Sequence, residues 1–320
     1  MNVDLPKNRS SVSEFILLGL SNSQEIQIFF FTIFFLVYVA IIVGNLLIVI
    51  SVIVDNHLHS PMYFFLANLS FFDLCLSSAT TPIVISDFLR KLKTISLWGC
   101  MAQMFFVHFF GGGEMSLLIA MAMDRYVAIC KPLHYKTIMN RRALIVFLLL
   151  SWAVGFIHTT SQMVFTAGLP FCGPNVVDND IFCDLPRILK LACTETFILE
   201  LLVIADSGLL SFICFILLLI SYTVILVTIR RRSSGGLSKA LSTLSAHIIV
   251  VTLFFGPIIF IYAWPFRGFS VDKFLSVFYS IITPLLNPII YTLRNQEMKA
   301  AISRLRTKHI LRINCPSHTY

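Results

Sequence analysis

A bundle of seven membrane-spanning helices is the fold class that this sequence predicts, on three observations. The chain of 320 residues is 57% hydrophobic and only 12% charged, about half the charged fraction of a soluble protein. Its 30 phenylalanines and mean hydropathy of +0.86 exceed what one soluble core could cover. Seven separate stretches stay apolar over about 20 residues, the length that crosses a bilayer as a helix. A water-soluble fold is therefore excluded.

The seven predicted spans follow one another with short connections, so neighbouring helices must be antiparallel and no separate catalytic domain fits between them. We divide the chain into an outer tail (1–27), a seven-helix domain (28–293) and a cytoplasmic segment (294–320). The predicted spans are 28–54, 61–85, 100–123, 143–166, 197–229, 240–264 and 273–293.

Basic residues predict the orientation of the bundle. If the N-terminus is outside, the cytoplasmic segments hold 15 of the 24 Lys and Arg residues, whereas the outer segments balance nine basic residues with nine acidic ones. The positive-inside rule favours this arrangement. The net charge of +8 therefore marks a membrane-facing cytoplasmic surface, and no nucleic-acid partner is needed to explain it. We expect a multi-pass protein of the plasma membrane in contact with membrane lipid.

The outer side carries two further features. Asn8-Arg9-Ser10 matches a glycosylation acceptor, so Asn8 is expected to carry a glycan. Four cysteines lie on this oxidising side and are expected to form disulfides, although four cysteines allow three pairings and spacing does not choose among them. These cysteines are Cys100, Cys172, Cys183 and Cys193.

Four acidic residues lie within predicted spans, where an isolated charge is costly, and Asp73 and Glu114 form the most chemically loaded pair among them. With no basic residue at that depth, the two carboxyl groups must be protonated or share a cation. Oxygen ligands without His or thiolate favour a monovalent cation, sodium, over a divalent metal. A structural pair of neutral, hydrogen-bonded acids is the alternative, and an ion-coupled transporter would use the same residues.

Catalytic signatures are missing from the sequence. It contains no HExxH, GxSxG, phosphate-binding loop or dinucleotide-binding glycine pattern. Gly111-Gly112-Gly113 lies inside a span, where glycines permit close helix packing. We therefore expect no enzyme and no required cofactor, with sodium as the one possible bound ion.

An ordered set of motifs runs along nearly the whole chain. The motifs are Gly44-Asn45, the PMYFFL segment 61–66 leading to Asp73, the MAMDRYVAIC segment 121–130, Ser221-Tyr222, the KALST segment 239–243 with His247, and the PLLNPIIY segment 284–291. With this set, the chain resembles a rhodopsin-like (class A) G-protein-coupled receptor and, within that class, an odorant receptor.

The resemblance implies a receptor that binds small, mostly apolar, volatile molecules in a transmembrane pocket and activates a heterotrimeric G protein of the stimulatory, olfactory class to raise cAMP. It also implies that Asp124 holds Arg125 in the inactive state. The implied activation switch comprises Asp124, Arg125, Tyr126, Tyr222, His247, Asn287, Pro288 and Tyr291.

The resemblance places the ligand pocket among the outer halves of the third, fifth and sixth spans. His108, Gly111, Gly112 and Met115 share one face of the third span by helical spacing. Asp206 either favours a cationic or hydrogen-donating ligand or pairs with His108. The implied lining residues are Phe105, Val107, His108, Gly111, Gly112, Asp206, Ser207, Leu210, Phe255, Ile258 and Tyr262.

For the outer cysteines, the resemblance implies the pairs Cys100–Cys183 and Cys172–Cys193, which would fold the long outer loop over the pocket. The pair Cys100–Cys193 stays open, because the spacing of Cys172 and Cys183 is one residue longer than the resemblance leads us to expect.

The segment after Asn295 places apolar residues on one helical face, with basic residues elsewhere, which predicts an amphipathic eighth helix on the inner membrane surface. Two rival functions remain at this point. One is a class A receptor for a lipid or an amine, and the other is an ion-coupled transporter using Asp73 and Glu114. The lack of an internal repeat argues against the transporter.

Overall fold

The computed structural model describes residues 14–17, 23–90, 93–171, 176–177, 182–232, 237–263 and 271–314. Seven helices in it are long and apolar enough to cross a membrane, which confirms the predicted fold class. We refer to them as the first to seventh spans. Their bounds are Gln24–Val54, Pro61–Leu89, Leu97–Cys130, Arg141–Thr166, 197–232, Leu237–Ala263 and 271–294.

Helix starts follow from local chemistry. Pro61 opens the second span, where its missing N–H is not needed. The Ser96 hydroxyl accepts a hydrogen bond from the Gly99 N–H at 3.0 Å and caps the third span. The Asn140 side chain likewise accepts from the Ala143 N–H at 3.0 Å and caps the fourth span.

Two spans contain a π-helical turn. In the fifth span this turn is Ile204–Leu209, between the α-helical segments Phe197–Val203 and Leu210–Arg232. In the seventh span it is Phe278–Ile282. Such turns insert one extra residue and rotate the following side chains, and they occur often at functional sites. The turn in the fifth span contains Asp206.

The third span is the centre of the bundle. Within an apolar stretch of 18 residues, 61% of the residues of the third span are buried, compared with 22% in the first span and 17% in the fourth. Buried side chains form one cluster in the inner half of the bundle and a second in the outer half. The third span contributes to both clusters, so it connects the two ends of the molecule.

A small three-stranded sheet covers part of the outer end, which the sequence did not predict. Strand β1 (Glu14–Leu17) pairs antiparallel with β2 (Thr94–Ser96) and parallel with β3 (Val176–Val177). The β1 side chain of Phe15 is fully buried. The outer loop between the fourth and fifth spans also contains a buried short helix, Leu185–Leu189, which we call the lid helix.

At the inner end, the tail helix Gln296–Asn314 follows the seventh span after Asn295. Met298 and Ala301 on this helix are fully buried against the inner cluster. The predicted amphipathic eighth helix is therefore present, with its apolar face against the bundle.

Candidate functional site

A cavity of about 50 Å³, which we call the central cavity, lies within the outer half of the bundle. The third, fifth and sixth spans, where the resemblance places the ligand pocket, supply most of its wall, and the second, fourth and seventh spans complete it. It is lined by Leu76, Val107, His108, Gly111, Gly112, Met115, His158, Asp206, Ser207, Ser211, Phe254, Ile258, Tyr262 and Tyr279.

Three of the predicted lining residues lie outside the central cavity. The backbone carbonyl of Phe105 accepts a hydrogen bond from Thr159 of the fourth span at 2.9 Å, which places Phe105 at the contact between these helices. Leu210 follows the π-helical turn and is 39% exposed on the outer surface of the bundle. Phe255 is fully buried against Phe215, and its neighbour Phe254 takes the position at the cavity.

Asp184 of the outer loop contacts two residues of the wall of the central cavity. The Tyr262 hydroxyl donates a hydrogen bond to Asp184 Oδ1 at 2.8 Å, and His108 Nε2 lies 4.0 Å from the same oxygen. His108 Nε2 is buried and has no hydrogen-bond partner among the described residues. Asp184 was not among the predicted site residues. Its position directly after Cys183 was the available signal, because the disulfide to Cys100 holds this part of the loop at the outer end of the third span.

Asp206 is bound to the fourth span. Its Oδ2 accepts hydrogen bonds from Ser161 Oγ at 3.0 Å and Gln162 Nε2 at 2.5 Å, and lies 3.2 Å from His158 Nδ1. The sequence analysis offered His108 as the partner of Asp206. The partner is His158, because the π-helical turn and the rotation of the fourth span bring that imidazole to the acid.

Glycines determine how closely the third and fourth spans approach. A Cβ on Gly155 would lie 2.3 Å from the Phe109 carbonyl oxygen, so no side chain fits there. A Cβ on Gly112 would lie 3.2 Å from Gly155 Cα. Gly111, in contrast, has open space beside it. Gly112 thus serves helix packing as well as the cavity, and Gly111 adds volume to the cavity.

The outer loop is tied to the third span by a Cys100–Cys183 disulfide. The backbone N–H of Cys183 also donates to Gln103 Oε1 at 2.9 Å. This confirms the first pairing that the resemblance implied and excludes Cys100–Cys193. Cys193 is disulfide-bonded as well, while its expected partner Cys172 lies outside the described residues, as does Asn8.

Below the central cavity, the intramembrane acids Asp73 and Glu114 lie next to one another and to Asn287. The Asn287 side chain donates to both Asp73 oxygens, at 3.1 and 2.9 Å. Both Glu114 oxygens are fully buried without a hydrogen-bond partner in the part of the chain that the structure describes. Among the described residues, this cluster thus has more oxygen acceptors than hydrogen-bond donors.

At the inner end of the third span, Arg125 forms an ion pair with its neighbour Asp124. The Tyr135 hydroxyl donates to Asp124 Oδ1 at 2.7 Å. Burial and the adjacent Asp124 carboxylate raise the pKa of Tyr135, so this phenol stays protonated and remains a donor. The arrangement holds Arg125 against its own helix.

A second, smaller cavity of about 30 Å³ lies beside Arg125. Arg125, His247 and Tyr291 line it, and the Tyr222 hydroxyl reaches His247 Nδ1 at 2.5 Å. The Tyr291 hydroxyl is buried without a hydrogen-bond partner among the described residues. Implied switch residues of four spans, the third, fifth, sixth and seventh, therefore meet at one place.

Two other implied switch residues lie close by. Pro288 packs against the first span, where a Cβ on Gly44 would lie 3.1 Å from the proline ring. Tyr126 lines a groove on the outside of the bundle together with Ser221 of the fifth span.

Comparison with known proteins agrees with this arrangement. The family model described as olfactory receptor matches residues 34–309. The chain is 64% identical to human olfactory receptor 4L1 over 304 residues, which is 95% of this chain and 97% of that protein. It is 65% identical to human olfactory receptor 4K13 over 297 residues, 93% of this chain and 97% of the relative.

The chain belongs to the olfactory receptor family. It is thus an odorant receptor of the G-protein-coupled type, a multi-pass protein of the plasma membrane and not an enzyme.

In this olfactory receptor the tail helix is attached to the first cytoplasmic loop. Arg304 Nε donates a hydrogen bond to Asp55 Oδ2 at 2.8 Å, and Arg304 Nη2 forms an ion pair with the same oxygen at 2.7 Å. A hydrogen bond from the His57 backbone N–H, together with the His57 side chain and Arg304, lowers the pKa of Asp55 well below its usual value. Asp55 therefore stays charged at physiological pH. Tyr63 adds a second link by donating to Glu297 Oε2 at 2.8 Å.

Proposed function

We propose that this receptor binds small, mostly apolar odorants in the central cavity and responds by activating a heterotrimeric G protein of the stimulatory, olfactory class, which raises cAMP. One observation carries the proposal: the third span lines the central cavity with His108 and Gly111 and ends at the Arg125 cluster. Seventeen residues of helix separate His108 from Arg125, about 25 Å at 1.5 Å per residue.

The wall of the central cavity supports a ligand with few polar atoms. Val107, Met115, Phe254 and Ile258 are apolar, and Asp206 is already bonded to the fourth span. His108 Nε2 is a buried polar atom at this wall that lacks a hydrogen-bond partner within the described residues. A neutral ligand with one oxygen or nitrogen atom near His108 satisfies it.

The polar residues around Arg125 support the signalling part of the proposal. Arg125 is held by Asp124, and the Tyr222–His247 contact closes the space between the fifth and sixth spans. An agonist that prefers the open arrangement shifts the population toward it, releasing Arg125 to the G protein. Pro257 interrupts the hydrogen bonds of the sixth span and provides a point at which that helix bends.

We also propose that Asp73 and Glu114 bind a sodium ion. The support is the pair of Glu114 oxygens without donors, next to an Asp73 carboxylate that Asn287 orients. One monovalent cation neutralises part of this negative charge and supplies what the oxygens lack.

The function is tested by expressing the receptor in cells and screening a chemically diverse odorant panel for cAMP. We expect some odorants to raise cAMP in a concentration-dependent, receptor-dependent manner without solute flux. Solute flux without a cAMP response would favour the transporter alternative and reject the proposal.

A further inference from the structure

A third cavity, larger than the central one, lies between the fourth and fifth spans beneath the lid helix. Its volume is about 230 Å³, and we call it the side cavity. Asp206 is the residue that it shares with the central cavity. Its apolar wall consists of Phe165, Leu185, Leu189, Leu199, Leu202 and Val203.

The polar end of the side cavity is formed by Asp206 with Ser161, Gln162 and Thr166. The hydrogen bonds of the Asp206 carboxylate to the described residues all end on Oδ2. Asp206 Oδ1 accepts no hydrogen bond from the described residues, and the Asp206 side chain is 33% exposed. One oxygen of this carboxylate is thus open to an incoming donor.

The chemistry of that end favours a cation. Ser161 and Gln162 donate to Oδ2 and His158 Nδ1 lies 3.2 Å from it, which is the environment of an ionised carboxylate. Among the described residues no Lys or Arg lines the side cavity, and His158, 3.2 Å from Oδ2, lines the central cavity instead. An ammonium group supplies both a positive charge and N–H donors to Oδ1, and a carboxylic acid ligand would be repelled.

The wall of the side cavity indicates how such a ligand enters. Phe165 is 46% exposed and Leu202 is 38% exposed, and exposed apolar side chains of a span face hydrocarbon. Leu185 and Leu189 of the lid helix are buried above them. An amphiphile with an alkyl chain therefore reaches this cavity from the bilayer, with its chain along the leucines and its head group at Asp206.

We infer that the side cavity is a second small-molecule site, which binds an aliphatic ammonium ion with its charge on Asp206 Oδ1. This goes beyond the proposed odorant function, which uses the central cavity. Because Asp206 belongs to both cavities and is bonded through Gln162 and His158, an occupant of the side cavity acts on the wall of the central one.

The test is thermal unfolding of the purified full-length receptor in lipid nanodiscs, titrated with n-hexylamine. We expect a saturable rise in the unfolding temperature with hexylamine and none with 1-hexanol or hexanoic acid. Asp206→Asn and the cavity-filling variants Leu199→Trp and Leu202→Trp are expected to raise the half-saturating concentration at least tenfold. Two filling variants are used so that a folding defect in one does not decide the result.

Gly111→Trp is the matched control, because it fills the central cavity from a position with open space. It is expected to leave the hexylamine titration within twofold of the unmodified receptor. A stabilisation that 1-hexanol reproduces, or that survives both Leu199→Trp and Leu202→Trp, or that Gly111→Trp abolishes, overturns the second site.

The odorant response is measured separately and distinguishes the two proposals. Leu199→Trp is expected to keep odorant-stimulated cAMP, since Leu199 does not line the central cavity. An odorant response without hexylamine binding rejects only the side site, and hexylamine binding without any odorant response rejects only the signalling function.

Discussion

Tyr222 and His247 are in direct contact, with the Tyr222 hydroxyl 2.5 Å from His247 Nδ1. Both side chains are buried, and the contact joins the fifth and sixth spans beside Arg125. An outward movement of the sixth span must break this hydrogen bond. The contact therefore stabilises the closed arrangement in which Arg125 stays with Asp124.

Removing the imidazole should activate the receptor without ligand. A buried hydrogen bond contributes about 0.5–1.5 kcal/mol, so we expect His247→Phe to raise basal cAMP roughly two- to tenfold at equal surface expression. Thr252→Val is the control, because the Thr252 hydroxyl donates to Ile248 O of its own helix and to no other group among the described residues. Basal cAMP that does not rise in His247→Phe would show that the contact does not hold the inactive state.

The attachment of the outer loop to the sixth span should depend on the hydrogen bond from Tyr262 to Asp184. Since the Tyr262 hydroxyl donates to Asp184, Tyr262→Phe removes the hydrogen bond that ties the outer loop to the wall of the central cavity, whichever ligand is bound. We expect its potency loss, roughly two- to tenfold from one hydrogen bond, to be similar for ligands with and without an oxygen atom. Asp184→Asn, which keeps an acceptor, should show a smaller loss. A loss confined to oxygen-bearing ligands would instead indicate a direct bond from Tyr262 to the ligand.

Two glycine substitutions should differ sharply in their effect on folding. Gly155→Ala places a methyl group 2.3 Å from the Phe109 carbonyl oxygen, so the third and fourth spans must separate. Overpacking of this kind costs about 1–3 kcal/mol, and we expect lower surface expression and a lower unfolding temperature. Gly111→Ala adds the same methyl group in open space and should express normally. Equal expression of the two variants would contradict the close packing.

Sodium should stabilise the receptor through Glu114. We expect sodium chloride to raise the unfolding temperature of the purified receptor more than choline chloride at the same ionic strength. Glu114→Gln should remove that difference, because the amide keeps the shape but not the charge. A sodium effect that is unchanged in Glu114→Gln places the ion elsewhere, and no sodium effect in the unmodified receptor leaves Asp73 and Glu114 as a neutral pair.

The sequence predicted the seven spans because their apolar length is a local property of the chain. Helix ends were less accurate: the first span begins at Gln24 rather than residue 28, and the third continues to Cys130. Polar residues near the interfaces can extend a helix without adding to its hydropathy, so composition alone ends the span too early.

Side-chain partners across the bundle were harder to predict. His158 and Asp184 were missed, since their roles depend on the rotation of the fourth span and on the path of the outer loop. The π-helical turn around Asp206 changes which residues face inward, and it moves Leu210 to the surface. Helical spacing placed His108, Gly111 and Gly112 on one face of the third span, which has no such turn, and all three line the central cavity, but only the resemblance assigned that face to a ligand pocket.

The central claim is that ligand binding in the central cavity is transmitted to a G protein through Arg125. The direct test compares odorant-stimulated cAMP in cells carrying the unmodified receptor or Arg125→Ala at matched surface expression, together with ligand-induced thermal stabilisation of both purified proteins. We predict a cAMP response that is lost in Arg125→Ala while ligand stabilisation persists. A normal cAMP response in Arg125→Ala, or no response of the unmodified receptor to any odorant that stabilises it, would contradict the account.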